Sequence, residues 1–296
     1  MSASSTGTGA GTSGRPPFGE RLRAAMDAHG PLCVGIDPHA ALLSQWGLTQ
    51  DVSGLERFAM VCVEAFAGRV AAVKPQSAFF EVFGSAGVAV LERVLCDLRD
   101  AGTLTVLDVK RGDIGSTMGA YAQAFLADDA PAPADAITVN PYLGYESLRP
   151  AIDLAASTGR GIFALALTSN PEGRGVQHAV LDGVSVAGSV VRGAAGDNAG
   201  ASDLGHVGLV VGATVGSAVR DLGLDLAAAR TPILAPGFGA QGGDPAQARE
   251  VFGDAVGQVL AASSRDVLSA GPDVAALAGR VSEVGETMAR DLRGSA

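Results

Sequence analysis

Short apolar runs rich in Val, Ile and Leu recur along the whole chain, at Leu32–Ile36, Ala71–Val73, Leu104–Val109, Ala136–Val139, Ile162–Leu167, Val207–Val211, Ile233–Leu234 and Val256–Ala261. Longer amphipathic segments separate them. Runs that are apolar at nearly every position fit strands buried on both faces, and their alternation with helical stretches predicts a parallel sheet covered by helices. Three helices carry start signals, because a side-chain oxygen just ahead of the first turn can accept one of its unpaired N–H groups. Asp51 precedes a periodic run to Phe66, Ser116 and Thr117 precede Met118–Leu126, and Asp273 precedes Val274–Leu292. A further helix, from about Phe18 to Ala28, stands before the first strand, where it can close the bottom of a barrel. The stretch Asn170–Gly205, rich in Gly, Ala and Ser, is too long for a simple connection and is expected to hold one helix plus a mobile loop.

Eight such units can close into a barrel or spread into an open sheet. Polar motifs follow nearly every run, whereas an open sheet would gather them at one switch point. The expected fold is therefore α/β, a single (β/α)8 TIM barrel of parallel strands over residues 15–296. Residues 1–14, almost all Ser, Thr, Gly and Ala, read as a disordered leader.

Composition narrows the function. The 296 residues suffice for one barrel of about 250 residues, and 47% hydrophobic against 18% charged residues supports a large core. A net charge of −10 with no cluster of Lys and Arg argues against nucleic acid, so any phosphate is expected in a small local pocket. Three cysteines without metal-ligand spacing fit reduced thiols in a cytoplasmic protein. The four scattered histidines point to no metal site. No run is long enough to span a membrane, and the first residues lack the basic start and apolar segment of a signal peptide.

The chemistry-bearing residues stand just past the apolar runs, which in a barrel converge on the C-terminal face. The cations are 19 Arg and only two Lys, Lys74 and Lys110, and both lysines end neighbouring strands. Arg keeps its proton in proteins, whereas a buried Lys can act as an acid or a base. Alternation along a strand puts Asp108 and Lys110 on one face. With sequential strand order, Asp37, Lys74, Asp108 and Lys110 then alternate in charge, which lets every member stay ionised. A purely structural ion-pair network is the plainer reading, but such a network is costly to bury for stability alone. Past the seventh run, the Gly-rich segment Pro236–Gly243 can turn backbone N–H groups toward a phosphate, and a helix beginning near Asp244 or Pro245 would add its dipole. Arg265 stands at the matching end of the eighth run.

Asp108-Val-Lys110-Arg-Gly-Asp113-Ile-Gly-Ser-Thr117 resembles the Asp-x-Lys-x-x-Asp-Ile-x-x-Thr signature of orotidine 5'-monophosphate decarboxylases. Val34–Asp37, Val73–Gln76, Leu167–Pro171, Val211–Gly216 and Leu234–Gly239 are similar to the longer bacterial, type 2 branch of that family. The likeness runs from about residue 20 to about residue 290. It implies conversion of orotidine 5'-monophosphate (OMP) to UMP and carbon dioxide in de novo pyrimidine biosynthesis, by a homodimer and without a cofactor or metal. It further implies a catalytic group of Lys110, Asp108, Asp113 and Lys74, with Lys110 protonating C6 of the pyrimidine and Asp108 near the departing carboxylate. Asp37 and Lys74 would hold ribose hydroxyls. Gly237, Gln241 and Arg265 would surround the phosphate, and Ser169 or Thr168 would meet the pyrimidine edge. Asp113 and Thr117 would reach into the partner's site.

Other readings share the scaffold. A metal-dependent keto-sugar phosphate decarboxylase or hexulose phosphate synthase carries a similar Asp-x-Lys-x-x-Asp motif. A Schiff-base aldolase would use Lys74 or Lys110 as nucleophile. A phosphate-ester binding protein without turnover lies outside catalysis altogether.

Overall fold

The computed structural model describes residues 14–239, 242–244 and 248–293. The expected leader, apart from Gly14, and the expected phosphate ligand Gln241 therefore lie outside the described residues. Ten strands follow in chain order: β1 (Leu32–Ile36), β2 (Ala72–Pro75), β3 (Leu104–Arg111), β4 (Ala136–Val139), β5 (Gly161–Leu167), β6 (Val180–Leu181), β7 (Val184–Ser185), β8 (Val207–Val211), β9 (Ile233–Pro236) and β10 (Val259–Ser263). All except β6 and β7 close into a barrel in the ring order β1-β2-β3-β4-β5-β8-β9-β10, every pairing parallel. The architecture is the (β/α)8 barrel anticipated from the apolar runs.

Alternation along the strands divides the core in two. One set of side chains fills the barrel interior, among them Cys33, Val106, Ala136, Phe163, Leu234 and Leu260. The other set packs outward against the helices. The helix Val274–Arg293 shows how that outer layer is built. Its buried positions Leu277, Val281, Val284, Met288 and Leu292 recur at spacings of three and four, one apolar stripe. The helix Phe18–His29 plugs the bottom, where Phe18 meets Phe163 edge-on at 5.9 Å between ring centroids. Gly161 has to lack a side chain there, since a Cβ would lie 2.3 Å from the Phe18 ring.

Three local expectations change. Val256–Gln258 belongs to the 3-10 turn Gly253–Gln258, and β10 starts only at Val259. The turn still lays Val256 against the core, so its apolar character reflects packing without extension. Ser116 and Thr117 are not caps but lie inside the first turn of the helix Gly115–Leu126, because extended Ile114 (φ −113°, ψ 152°) already occupies the cap position. After β5, the place of the expected mobile loop is taken by the 3-10 turn Pro171–Gly173, the helical turn Arg174–Gln177 and the antiparallel β6–β7 hairpin, which lead into the helix Val186–Asp197. The hairpin turns on Asp182-Gly183, both at positive φ (51° and 79°), a pair suited to a two-residue reversal. By contrast, Asp51 and Asp273 do cap their helices, accepting from the N–H of Gly54 and Ala276.

Candidate active site

The C-terminal ends of the barrel strands surround a cavity of about 560 Å³, within the range of small-molecule sites. Asp37, Lys74, Asp108 and Lys110 line one side, and Gly237 and Arg265 line the same cavity from β9 and β10. Apolar Leu165, Val210 and Leu234 also contribute to its lining.

The charged residues form a continuous chain. Lys74 Nζ lies 3.9 Å from Asp37 Oδ1 and 3.1 Å from Asp108 Oδ2, and Lys110 Nζ lies 2.5 Å from Asp108 Oδ1. Asp108 is the hub. Its Oδ2 also accepts from Gln76 Nε2 at 2.8 Å, and its Oδ1 from the Thr138 hydroxyl at 2.8 Å. Burial by itself would raise the Asp108 pKa, but the two ammonium groups and the hydrogen bonds outweigh it and hold the carboxyl well below the usual carboxylate range. Lys74 is the mirror case. Burial favours its neutral form, yet Asp37 and Asp108 together keep the ammonium above the ordinary lysine range. One layer deeper, burial pushes the Cys33 thiol up to about 12, so it stays neutral under the array.

Lys110 differs from Lys74 in exposure. Its side chain is 47% exposed against 9% for Lys74, so it extends from the network into the cavity. Its backbone is also unusual. Lys110 sits at φ 45°, a left-handed conformation costing a residue with a side chain about 1–3 kcal/mol. The cause lies in the ladder between β3 and β4. Leu107 pairs with Ile137 and Arg111 with Val139, so Asp108, Val109 and Lys110 together face Thr138 alone. Asp108 and Lys110 thus share a face through a bulge, not through the plain strand alternation expected. Thr138 fills the gap: its Oγ1 accepts from the Lys110 N–H at 2.9 Å while its hydroxyl donates to Asp108.

The remaining strand ends around the cavity are organised differently. In the Gly-rich segment the N–H groups of Gly239, Gly242 and Gly243 donate to the carbonyls of Gly243, Gly239 and Gly237, respectively, within the segment itself. The expected convergence of these amides on a phosphate is not the arrangement described. Arg265, however, makes no ion pair among the described residues. Its neighbour Asp266 is taken by Arg280 at 2.5 Å, which leaves the Arg265 charge to the cavity. Asp37 Oδ1 is buried and likewise has no hydrogen-bond partner among the described residues.

Several predicted positions stand apart. Thr168 lines the charged cavity, whereas Ser169 lines an adjoining one of about 600 Å³ with Arg174, His178 and Ser217. The Thr168 hydroxyl donates to Asn170 Oδ1 and accepts from Gln177 Nε2. Asp113 and Thr117 line no part of the charged cavity of their own chain; Asp113 Oδ1 accepts from the Ile114 N–H, and Thr117 is exposed. Residues on the cavity that escaped notice as functional candidates include Gln76, Thr138, His39 and Phe79, the last two with ring centroids 5.8 Å apart. Strand parity was an available signal for two of them, since Gln76 stands two past Lys74 and Thr138 two before Asn140. Among the described residues no group of three or more His, Cys, Asp or Glu is disposed to hold a metal ion.

Residues 30–279 match the Orotidine 5'-phosphate decarboxylase / HUMPS family. The orotidine 5'-phosphate decarboxylase of Streptomyces coelicolor is 60% identical over 263 residues, covering 88% of this chain and 93% of that protein. That of Salinispora arenicola is 60% identical over 261 residues, covering 88% and 92%. A Streptomyces avermitilis crystal structure described under the same enzyme name superposes with a TM-score of 0.91 at 53% identity, covering 98% of this chain and all (100%) of that one. The Leishmania donovani OMP decarboxylase structure gives 0.72 at 29% identity, covering 94% and 100%.

Proposed function

This chain belongs to the orotidine 5'-phosphate decarboxylase / HUMPS family and is a carboxy-lyase converting OMP to UMP and carbon dioxide in pyrimidine biosynthesis, and we propose that it works by electrostatic stabilisation of a C6 carbanion. The observation that carries the mechanism is the ion chain Asp37–Lys74–Asp108–Lys110 along a cavity also lined by Arg265, whose guanidinium makes no ion pair among the described residues.

Loss of carbon dioxide leaves an electron pair in the plane of the pyrimidine ring, out of reach of π delocalisation. A positioned ammonium offsets that charge as it develops, without reorganisation at the moment of reaction. Lys110 has the exposure and direction for this role, and it then protonates C6. Asp108, held ionised by four donors, would stand near the departing carboxylate. Asp37, whose buried Oδ1 has no hydrogen-bond partner among the described residues, accepts from a ribose hydroxyl, and Lys74 bridges Asp37 and Asp108. Arg265 binds the phosphate, aided by Gly237 and Gln241. A hydroxyl from Thr168 or Ser169 meets the pyrimidine edge. Phosphate contacts remote from the reacting carbon supply binding energy that closes the loops and excludes water.

The working unit is a homodimer in which Asp113 and Thr117 complete the partner's site. Support comes from the apolar side chains around them: Ile114 is 63% exposed, Tyr142 75% and Leu143 53%, a patch that pairing would cover. Mixing two inactive variants tests this. Lys110→Ala and Asp113→Ala subunits, recombined in equal amounts, should regain about one quarter of wild-type activity, since half the dimers would be hybrids with one intact site each. No regain would remove Asp113 from the partner's site. The mechanism as a whole is tested by incubating the chain with OMP and no added cofactor: the ultraviolet band of the substrate should disappear, also in the presence of a chelator.

A further inference from the structure

The bulge in β3 needs something to hold it, and one side chain touches both of its ends. Between the paired positions Leu107–Ile137 and Arg111–Val139, β3 carries three residues and β4 only Thr138. A bulge of this kind leaves backbone groups without ladder partners and bends the strand. Here the Lys110 N–H would be left over, and Lys110 itself is held in a left-handed conformation that its side chain disfavours. Thr138 is 1% exposed, so no bulk water competes at its hydroxyl. Its Oγ1 accepts the Lys110 N–H at 2.9 Å, and its own proton goes to Asp108 Oδ1 at 2.8 Å. That same oxygen receives Lys110 Nζ at 2.5 Å. One hydroxyl therefore ties the backbone of the lysine to the carboxylate that orients its ammonium, closing a ring from Lys110 N through Thr138 and Asp108 back to Lys110 Nζ.

We propose that Thr138 is the positioning residue for Lys110: its hydroxyl holds the bulge and thereby sets where the ammonium points. This rests on the reading of Lys110 as the group that stabilises and protonates the carbanion. A valine at 138 would keep the shape and the apolar contacts but could neither accept from Lys110 nor donate to Asp108. A serine would keep both bonds and lose only a methyl group.

The test compares Thr138→Val, Thr138→Ser and Lys110→Ala by steady-state kinetics with OMP, with thermal melting and UMP titration as measures of folding and ground-state binding. Thr138→Val should lower kcat on the order of 100-fold, the usual cost of displacing a reacting group by about 1 Å, with KM and UMP affinity close to wild type. Thr138→Ser should stay within about tenfold of wild-type kcat, below the displacement cost of the valine variant. A folded Thr138→Val enzyme with wild-type kcat overturns the proposal, and so does an equal loss in KM and kcat. If the valine variant does not fold, the serine variant decides: near-normal kcat supports the hydroxyl as the required element, and a large fall in kcat with normal melting overturns it. Turnover by Lys110→Ala would instead strike at the role of Lys110 itself, which separates the two failures.

Discussion

The two sides of the cavity are built on opposite plans. From β1 to β4, Lys74, Asp108 and Lys110 are hydrogen-bonded in one network with Asp37 beside it, and the Asp108 carboxylate has all of its acceptor capacity used by Lys74, Lys110, Gln76 and Thr138. From β5 to β10, the polar groups are either occupied within their own loop or, like Arg265, left without a partner among the described residues. The division fits the two tasks of the reaction. Charges that stabilise a developing carbanion must be in place beforehand, because reorganising them during the step would add to the barrier. Groups that hold a phosphate do better unpaired, since an existing ion pair would have to be broken first. On the proposed mechanism, rigid electrostatics would face the carbon centre and unpaired charge the phosphate.

The largest expected effect breaks the rigid side. Lys110→Ala should lower kcat at least about 1,000-fold, the combined scale of losing a proton donor and a preorganised charge, while UMP still binds. Binding that fell in parallel with kcat would mean that Lys110 serves ground-state affinity, and the contrast between the two sides would fail. Next comes the open side. Arg265→Ala should reduce kcat/KM about 10–100-fold for OMP, the range for a lost charged hydrogen bond, and should leave a phosphate-free nucleoside analogue unaffected. An equal effect on both compounds would take Arg265 out of the phosphate site.

The pH dependence sharpens the same contrast. The folded-state pKa of Asp108 is depressed, so its contribution to stability is present above the unfolded value of about 4 and lost as pH falls through the folded one. Lys74 has a raised folded-state pKa, so its contribution is complete below about 10.4 and lost only as pH rises beyond that. Asp108 and Lys74 therefore both stay ionised across the neutral range. A break in kcat/KM near pH 6 would accordingly follow the substrate phosphate, whose second ionisation lies at about that value. Urea midpoints at pH 3, 5 and 7 check the acid side: Asp108→Asn should be less stable than wild type at pH 7 but lose less on acidification. A wild-type midpoint no more acid-sensitive than that of the variant would contradict a depressed Asp108.

Legibility in the sequence followed the same divide. Strand positions were readable because burial on both faces leaves continuous apolar runs, and the scarcity of lysine singled out Lys74 and Lys110. Their neighbourhood followed from strand order, since adjacent strand ends have to be adjacent in space. The bulge was not readable, because it depends on how β3 and β4 pair and leaves no mark in the composition of either strand. For that reason Thr138 passed as one more residue of an apolar run. The Gly-rich segment was harder to read in another way: glycine permits several backbone paths, and among the described residues the Gly239, Gly242 and Gly243 amides bond carbonyls of their own segment. The hairpin after β5 did leave a signal in Asp182-Gly183, but four short β residues between two helical segments have no periodicity to measure.

The smallest expected effect concerns the boundary between the two sides, where Thr168 and Ser169 compete for one role. Thr168 faces the charged cavity, yet its hydroxyl already donates to Asn170 and accepts from Gln177, and its own N–H donates to Gln177 Oε1 at 2.8 Å. The Gln177 amide thus holds Thr168 from both backbone and side chain. Ser169 is exposed in the adjoining cavity and its hydroxyl has no partner among the described residues. Thr168 belongs by this measure to the rigid plan and Ser169 to the open one. If the pyrimidine edge is met by the group left unengaged, Ser169→Ala should raise KM for OMP by about three- to tenfold, one neutral hydrogen bond, and leave melting unchanged. Thr168→Val should instead lower the melting temperature, by freeing Asn170 and half of the Gln177 clamp, with a smaller change in KM. The reverse pattern would place the recognition hydroxyl on Thr168 and extend the preorganised side of the cavity to β5.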